Sequence, residues 1–181
     1  MSDLENNKPQ DEGMAVADTS QKVFDKLDEL KIEYSVVQHE PVYTIEAMEA
    51  LNIDKKNEVV KNIFVRDEKK TRFMLFVAQK DRRVNLKEIR NKLGCKPLSF
   101  AAENYLVEYL GLNKGAVSPF GILNDENKKV EVFLDSDLRF YEKIGIHPNI
   151  NTATVWISPK DLEKVVKEHG NKFTYINLKD S

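Results

Sequence analysis

Glu58-Val59-Val60-Lys61-Asn62-Ile63-Phe64-Val65-Arg66 and Arg72-Phe73-Met74-Leu75-Phe76-Val77-Ala78-Gln79 are two apolar runs separated by the polar Asp67-Glu68-Lys69-Lys70 and Thr71. Two such runs around a short charged turn predict a hairpin near the middle of a sheet. Alternation along the first run puts Val59, Lys61, Ile63 and Val65 on one face, and Val60, Asn62 and Phe64 on the other. Lys61 therefore interrupts an apolar row. A lysine in that position either snorkels to water and blunts a strand edge, or meets an anion at the floor of a pocket that receives a phosphate or carboxylate.

Working outward, Ser20 predicts the start of a helix whose Val23, Phe24, Leu27 and Leu30 fall on one face. Residues 34–38 read as a strand, residues 39–43 as a loop, and Thr44 as the cap of a short helix reaching residue 51. Beyond the hairpin, residues 85–93 read as a helix ended by Gly94, and residues 101–110 as another ended by Gly111. A loop over 115–121 leads to strands near 121–123 and 129–134. A further strand covers 152–157. It precedes a helix with Ser158 as N-cap, Pro159 at its first position, Asp161 at its third and Gly170 after its end. Residues 173–178 close the chain as a strand. About seven strands and five helices in irregular order predict an α+β fold.

Charge is unevenly placed. The chain of 181 residues carries 28 Lys and Arg against 30 Asp and Glu, a net of -2. Residues 1–18 hold five acids (Asp3, Glu5, Asp11, Glu12, Asp18) and one lysine, Lys8, a net of -4, so the remainder is +2. Residues 1–18 read as a flexible acidic tail and residues 19–181 as one domain. Hydrophobic residues are 41% of the chain, with nine Phe, six Tyr and one Trp, enough for a single core. No apolar run approaches the ~18–20 residues of a membrane span. The start MSDLENNKPQ lacks the basic and apolar regions of a secretory signal. One cysteine, Cys95, excludes an internal disulfide framework. A cytoplasmic protein without membrane contact is expected.

Few residues suggest chemistry of their own. In Gly115-Ala116-Val117-Ser118-Pro119-Phe120-Gly121, two glycines and a proline define a tight loop. Its backbone N–H groups can serve an anion or a polarised carbonyl oxygen, or it is an ordinary helix-to-strand turn. It lacks the Gly-Lys-Ser/Thr ending of a phosphate loop. His169 suits a helix C-terminus. His39 and His147 lie in loops far apart in sequence, with no third ligand at metal spacing, so no metal is expected. Cys95 follows a helix C-terminus, where nothing lowers its pKa, and no nucleophile elbow exists. Residues 80–96 hold seven cations against two acids, a net of +5. Lys80, Arg82, Arg83 and Lys87 in this cluster are candidates to face outward and hold an RNA backbone.

With these residues in view, the sequence resembles the YbaK/ProX family of aminoacyl-tRNA editing domains, freestanding relatives of the editing insertion in bacterial prolyl-tRNA synthetase. The resemblance runs from about Ser20 to Leu178. It rests on HEPVYTIEAM (39–48), VVKNIFVRD (59–67), GAVSPFG (115–121), VEVFLDSDL (130–138) and IHPNINTATVWISPKDL (146–162) in that order. The last, with His147-Pro148 and Asn151-Thr152-Ala153-Thr154-Val155, resembles the alanyl-tRNA(Pro) deacylase branch.

The resemblance implies a mixed, barrel-like sheet of about seven strands with surrounding helices, and no cofactor. It implies that Lys61 holds the phosphate of the terminal adenosine. The loop Gly115, Ala116, Val117, Ser118, Pro119 would turn its backbone amides to the substrate carbonyl. His147 would serve aminoacyl recognition, and Thr44 and Asp135 would occupy pocket positions. Val42, Met48, Val60 and His147 are the candidates to size the pocket. The reaction implied is hydrolysis of the ester joining alanine to tRNA(Pro), with functional association with prolyl-tRNA synthetase. An aminoacyl ester is already activated, so a positioned water and a polarised carbonyl suffice. The substrate's own 2′-hydroxyl would help activate that water, which explains the missing triad. A small pocket would exclude proline by double-sieve logic. The alternatives are the same chemistry on a seryl or cysteinyl ester, and a non-catalytic module that binds tRNA or an amino acid.

Overall fold

Strand β2 (Asn57–Asp67) organises the sheet in the computed structural model, which describes residues 16–41 and 57–180. It pairs antiparallel with β3 (Phe73–Gln79), from Val60 opposite Gln79 to Arg66 opposite Phe73, forming the expected hairpin. Asp67 holds the turn. Its buried carboxylate accepts from the Thr71 and Arg72 amides at 2.7 and 2.9 Å and from the Thr71 hydroxyl at 2.6 Å.

The remaining described strands are β1 (Ser35–Gln38), β4 (Leu98–Phe100), β5 (Val130–Asp135), β6 (Lys143–Ile146), β7 (Ala153–Ile157) and β8 (Phe173–Ile176). They form one mixed sheet in the order β1-β7-β6-β2-β3-β5-β8, with β4 paired to β2 beside this path. The pairs β2–β6, β3–β5 and β5–β8 are parallel. The α+β class stands, but β1 and β8 end the sheet as separate edges, so it is open rather than a closed barrel.

Both faces of the hairpin are covered, which is why β3 reads as an unbroken apolar run. Phe73, Leu75 and Val77 join the larger core with Val60, Phe64, Val132 and Leu134. Met74, Phe76 and Ala78 join a smaller one with Val65, Phe133 and Ile89. Ile89 comes from helix α2 (Leu86–Leu93), capped by Asn85 and ended by Gly94 at φ 61. Helix α1 (Ser20–Glu29) buries Val23 and Leu27 in the larger core. Helix α1 is anchored just before it begins. Asp18 accepts from the Ser20 amide and hydroxyl at 2.9 and 2.6 Å, and Thr19 Oγ1 accepts from Asn124 and Asn149, each at 3.1 Å. The last helix, Pro159–His169, has the expected Ser158 cap and Gly170 stop.

Three local expectations are corrected. Residues 101–110 form one helical turn, α3 (Glu103–Tyr105), that widens into a π-helical turn over Leu106–Leu110. The wider turn keeps Leu106 and Leu110 buried while Tyr105 and Tyr109 both pack on Phe73, at centroid distances of 5.2 and 4.1 Å. The strand expected near 121–123 is a 3-10 turn, Pro119–Asn124, because Ser118 caps it and Pro119 opens it. Strands β4 and β6 were not anticipated, both being short. The helix expected over 44–51, with Val42, Thr44 and Met48, lies outside the described residues.

Candidate functional site where two strands part

The site follows from a change of partners along β2. Its residues Asn57–Val59 pair with β6, and its residues Val65–Asp67 pair with β4. Between them the same edge of β2 has no strand partner among the described residues, and unpaired backbone there needs another partner. The 115–119 loop is tied to both sides of this gap. On the β2 bank, Asn62 Nδ2 donates to the Val117 carbonyl at 3.0 Å. On the β6 bank, the Ser118 hydroxyl donates to the His147 carbonyl at 2.6 Å, just past the end of β6.

Ser118 is fully buried, and its oxygen also accepts from the Phe120 amide at 3.1 Å. Its hydroxyl is therefore a brace. The loop can offer a substrate its backbone, not a nucleophile. Ala116 and Pro119 are buried too, with Ala116 closing a 3-10 turn over Lys114–Ala116.

Lys61 stands opposite Ala78 on the central hairpin, next to the residue that holds the loop. It is half-buried and makes no ion pair among the described residues. Burial lowers its pKa, Asp81 opposes that shift and Arg82 adds to it. A cation so placed gains from an arriving anion. In register across the sheet, Val59, Gly145 and Trp156 share the face of Lys61. A Cβ on Gly145 would stand 2.8 Å from the Trp156 ring and 3.0 Å from Thr154 Cγ2, so only glycine lets these side chains cross the sheet here.

Two histidines converge at this end of the sheet, their ring centroids 6.3 Å apart. His147 Nδ1 lies 3.1 Å from the Ala153 carbonyl. A carbonyl only accepts, so Nδ1 carries the proton and Nε2 presents a lone pair in the neutral ring. Burial lowers the His147 pKa first, and His39 adds to the shift, against the opposing Ala153 bond. His39 likewise donates from Nδ1 to the Glu40 carbonyl at 2.8 Å, while its Nε2 meets the buried Thr154 hydroxyl at 2.9 Å.

Other expected site residues are placed differently. Val60 is buried in the larger core, on the face it shares with Asn62 and opposite Lys61. Asp135 is fully buried at the end of β5, where Oδ2 accepts from Arg82 Nε at 3.0 Å and Oδ1 from the Asp137 amide at 3.2 Å. Arg82 also donates to Gln79 and Asp137. The expectation that Arg82 faces outward is thus corrected, because a buried carboxylate draws it in. Arg83 and Lys87 are exposed, while Lys80 is half-buried. Among the described residues no group of three His, Cys, Asp or Glu could hold a metal ion. No helix among them is long and apolar enough to cross a membrane.

Sequence reasoning missed Asn62, His39 and Thr154 as parts of the site. Asn62 carried a signal, a polar side chain on the core-facing side of an apolar strand. His39 and Thr154 carried only their place in the stretches 39–48 and 146–162, since the fold alone brings them together.

The family model of the aminoacyl-tRNA editing domain matches residues 39–165. The prolyl-tRNA editing protein ProX of Acetoanaerobium sticklandii is 51% identical over 161 residues, 89% of this chain and 98% of that protein. The prolyl-tRNA synthetase associated domain-containing protein 1 of Danio rerio is 34% identical over 86% of each. A solved structure described as a candidate trans-editing enzyme for prolyl tRNA synthetase superposes with a TM-score of 0.69, at 22% identity. It covers 92% of this chain and 100% of that one, and at this identity it speaks for the fold.

Proposed function

The chain belongs to the aminoacyl-tRNA editing domain family, and on that premise we propose that it is a trans-editing deacylase for alanine misattached to tRNA(Pro). The observation that carries this reading is the 115–119 loop tied to Asn62, the chain neighbour of Lys61, and to the His147 carbonyl. Lys61 takes the phosphate of the terminal nucleotide, and backbone amides of the loop polarise the ester carbonyl. Water adds to that carbonyl, the ester C–O bond breaks, and alanine leaves with the tRNA 3′-hydroxyl restored. The neutral His147 offers Nε2 as an acceptor for an N–H or O–H of the bound aminoacyl end. The reaction asks for no protein nucleophile, in keeping with the buried, doubly bonded Ser118. Cytoplasmic location and functional association with prolyl-tRNA synthetase follow from this substrate.

The test is deacylation of a panel of tRNAs charged with alanine, serine, cysteine and proline, by wild type and Lys61→Ala. Turnover of Ala-tRNA(Pro), an intact Pro-tRNA(Pro) and a loss of about a hundredfold or more in Lys61→Ala are expected. Preference for seryl or cysteinyl esters would move the specificity. Saturable binding without turnover of any ester would replace the enzyme by a binding module.

A further inference from the structure

The fold divides the cationic stretch 80–96. Arg82 is drawn inward by Asp135, and Lys92 Nζ donates to the carbonyls of Asn177 and Lys179 at 2.7 and 3.1 Å. Arg83, Lys87 and Arg90 are exposed and form no ion pair among the described residues.

Topology says where these three stand. Alternation puts Lys61 on the face of the hairpin that also carries Val65 and Ala78, and helix α2 packs on that face through Ile89. The chain leaves β3 at Gln79, one residue past Ala78, the partner of Lys61. After α2 it reaches Pro97, whose carbonyl accepts from the Glu68 amide at 2.8 Å beside the hairpin turn. The helix therefore runs along the hairpin, from the Lys61 end toward the turn, and its flanks look across the strands. On one flank Lys92 reaches Asn177 and Lys179, just past β8 at the edge of the sheet. At about 100° per residue, Lys87 and Arg90 fall on the other flank, toward β2. Arg83 precedes the helix, in the connection that starts beside Lys61.

The composition of this surface selects its partner. Leu86, Ile89 and Leu93, the apolar side of the helix, are packed against the smaller core and are not free to enter a membrane. Residues 80–96 contain no Phe, Tyr or Trp, so the surface lacks the stacking platforms that hold single-stranded nucleic acid. What it offers is a row of cations on a short, capped helix, which suits phosphates held at fixed spacing along a paired strand.

We propose that Arg83, Lys87 and Arg90 grip the phosphate backbone of the paired acceptor stem of the tRNA, while Lys61 serves its unpaired end. The inference rests on the editing reading for the identity of the nucleic acid.

The experiment has two arms on the full chain. The first measures, by fluorescence anisotropy, binding of an uncharged RNA hairpin with the tRNA(Pro) acceptor stem and of a single-stranded oligonucleotide of its 3′ end. Wild type is compared with the triple variant Arg83→Ala, Lys87→Ala, Arg90→Ala between about 50 and 200 mM salt. The variant is expected to bind the hairpin about tenfold or more weakly, with the logarithmic salt slope reduced by about two to three. Its affinity for the single strand should change less than about twofold. A charge-matched control, Lys129→Ala, Lys160→Ala, Lys172→Ala, removes three exposed cations elsewhere and should bind the hairpin as wild type does. In the second arm, the KM of the Arg83, Lys87, Arg90 variant for Ala-tRNA(Pro) is expected to rise about tenfold or more at unchanged kcat. An unchanged hairpin affinity, an equal loss on the single strand, or an equal loss in the control overturns the proposal. If wild type hydrolyses no aminoacyl ester yet the hairpin results hold, the editing reading fails and the surface stands. If ester turnover is present and the variant leaves its KM unmoved, the surface falls and the editing reading stands.

Discussion

Ser118→Ala separates a brace from a nucleophile. The native hydroxyl is fully buried, donates to the His147 carbonyl at 2.6 Å and accepts from the Phe120 amide at 3.1 Å. Alanine removes both bonds and leaves a buried amide without a partner. A net bond is worth about 1 kcal/mol and an orphaned buried group about 1–3 kcal/mol, so the loss should total about 2–4 kcal/mol. For a domain of this size that lowers Tm by about 4–16 °C. Urea unfolding followed by the fluorescence of Trp156 measures the stability, and deacylation at a temperature where both proteins are folded measures the chemistry. The loop keeps its Asn62 tie at 3.0 Å, so activity should fall only about tenfold. A catalytic nucleophile behaves in the opposite way, losing about four orders of magnitude or more in rate with little change in stability. Abolished turnover at wild-type stability would refute the reasoning.

His147 has a folded-state pKa below its ordinary 6.5, chiefly from burial. The unfolded chain therefore binds the extra proton first, so stability is complete above pH 6.5 and declines as pH falls from there through the folded pKa. Comparison of urea midpoints between pH 7.5 and 5 should show a smaller decline in His147→Gln than in wild type; equal slopes would count against a neutral buried ring. Arg82→Ala strands the fully buried Asp135 carboxylate and should cost about 3–5 kcal/mol, whereas Arg83→Ala on the exposed neighbour should stay within about 0.5 kcal/mol. Similar urea midpoints for the two variants would undo the assignment of Arg82 to the interior. Gly145→Ala should cost about 1–3 kcal/mol and shift the emission of the single tryptophan, since the new methyl meets the indole at 2.8 Å.

The hairpin was legible because both of its faces are buried, so the two runs stand out however the chain is read. The capped last helix was legible for the opposite reason, its signals being local: Ser158, Pro159 and Gly170 act within one turn of where they stand. What escaped was set by distant packing. Lys143–Ile146 is four residues with a glycine in the middle, and its strand character comes from β2 on one side and β7 on the other. The π-helical turn is a response to Phe73, a residue more than thirty positions away, on which two tyrosines must both pack. The same division runs through the site. Lys61 was visible because a cation contradicts its strand, and the 115–119 loop because glycine and proline punctuate it.

The residues that hold those two features in place are of ordinary type, and this is where charge misled. Arg82 belongs to a cationic stretch that reads as one outward surface, yet it is only 17% exposed in its side chain. A surface cation gains little from a solvated partner, while a buried carboxylate cannot be left alone, so Asp135 dictates where Arg82 goes. Lys61 shows the converse. Among the described residues no acid forms an ion pair with it, and burial lowers its pKa against the pull of Asp81, so an arriving anion gains there. An ester at the end of a nucleic acid brings that anion with it. On the proposed reading, Lys61 rather than the +5 stretch over 80–96 meets that anion.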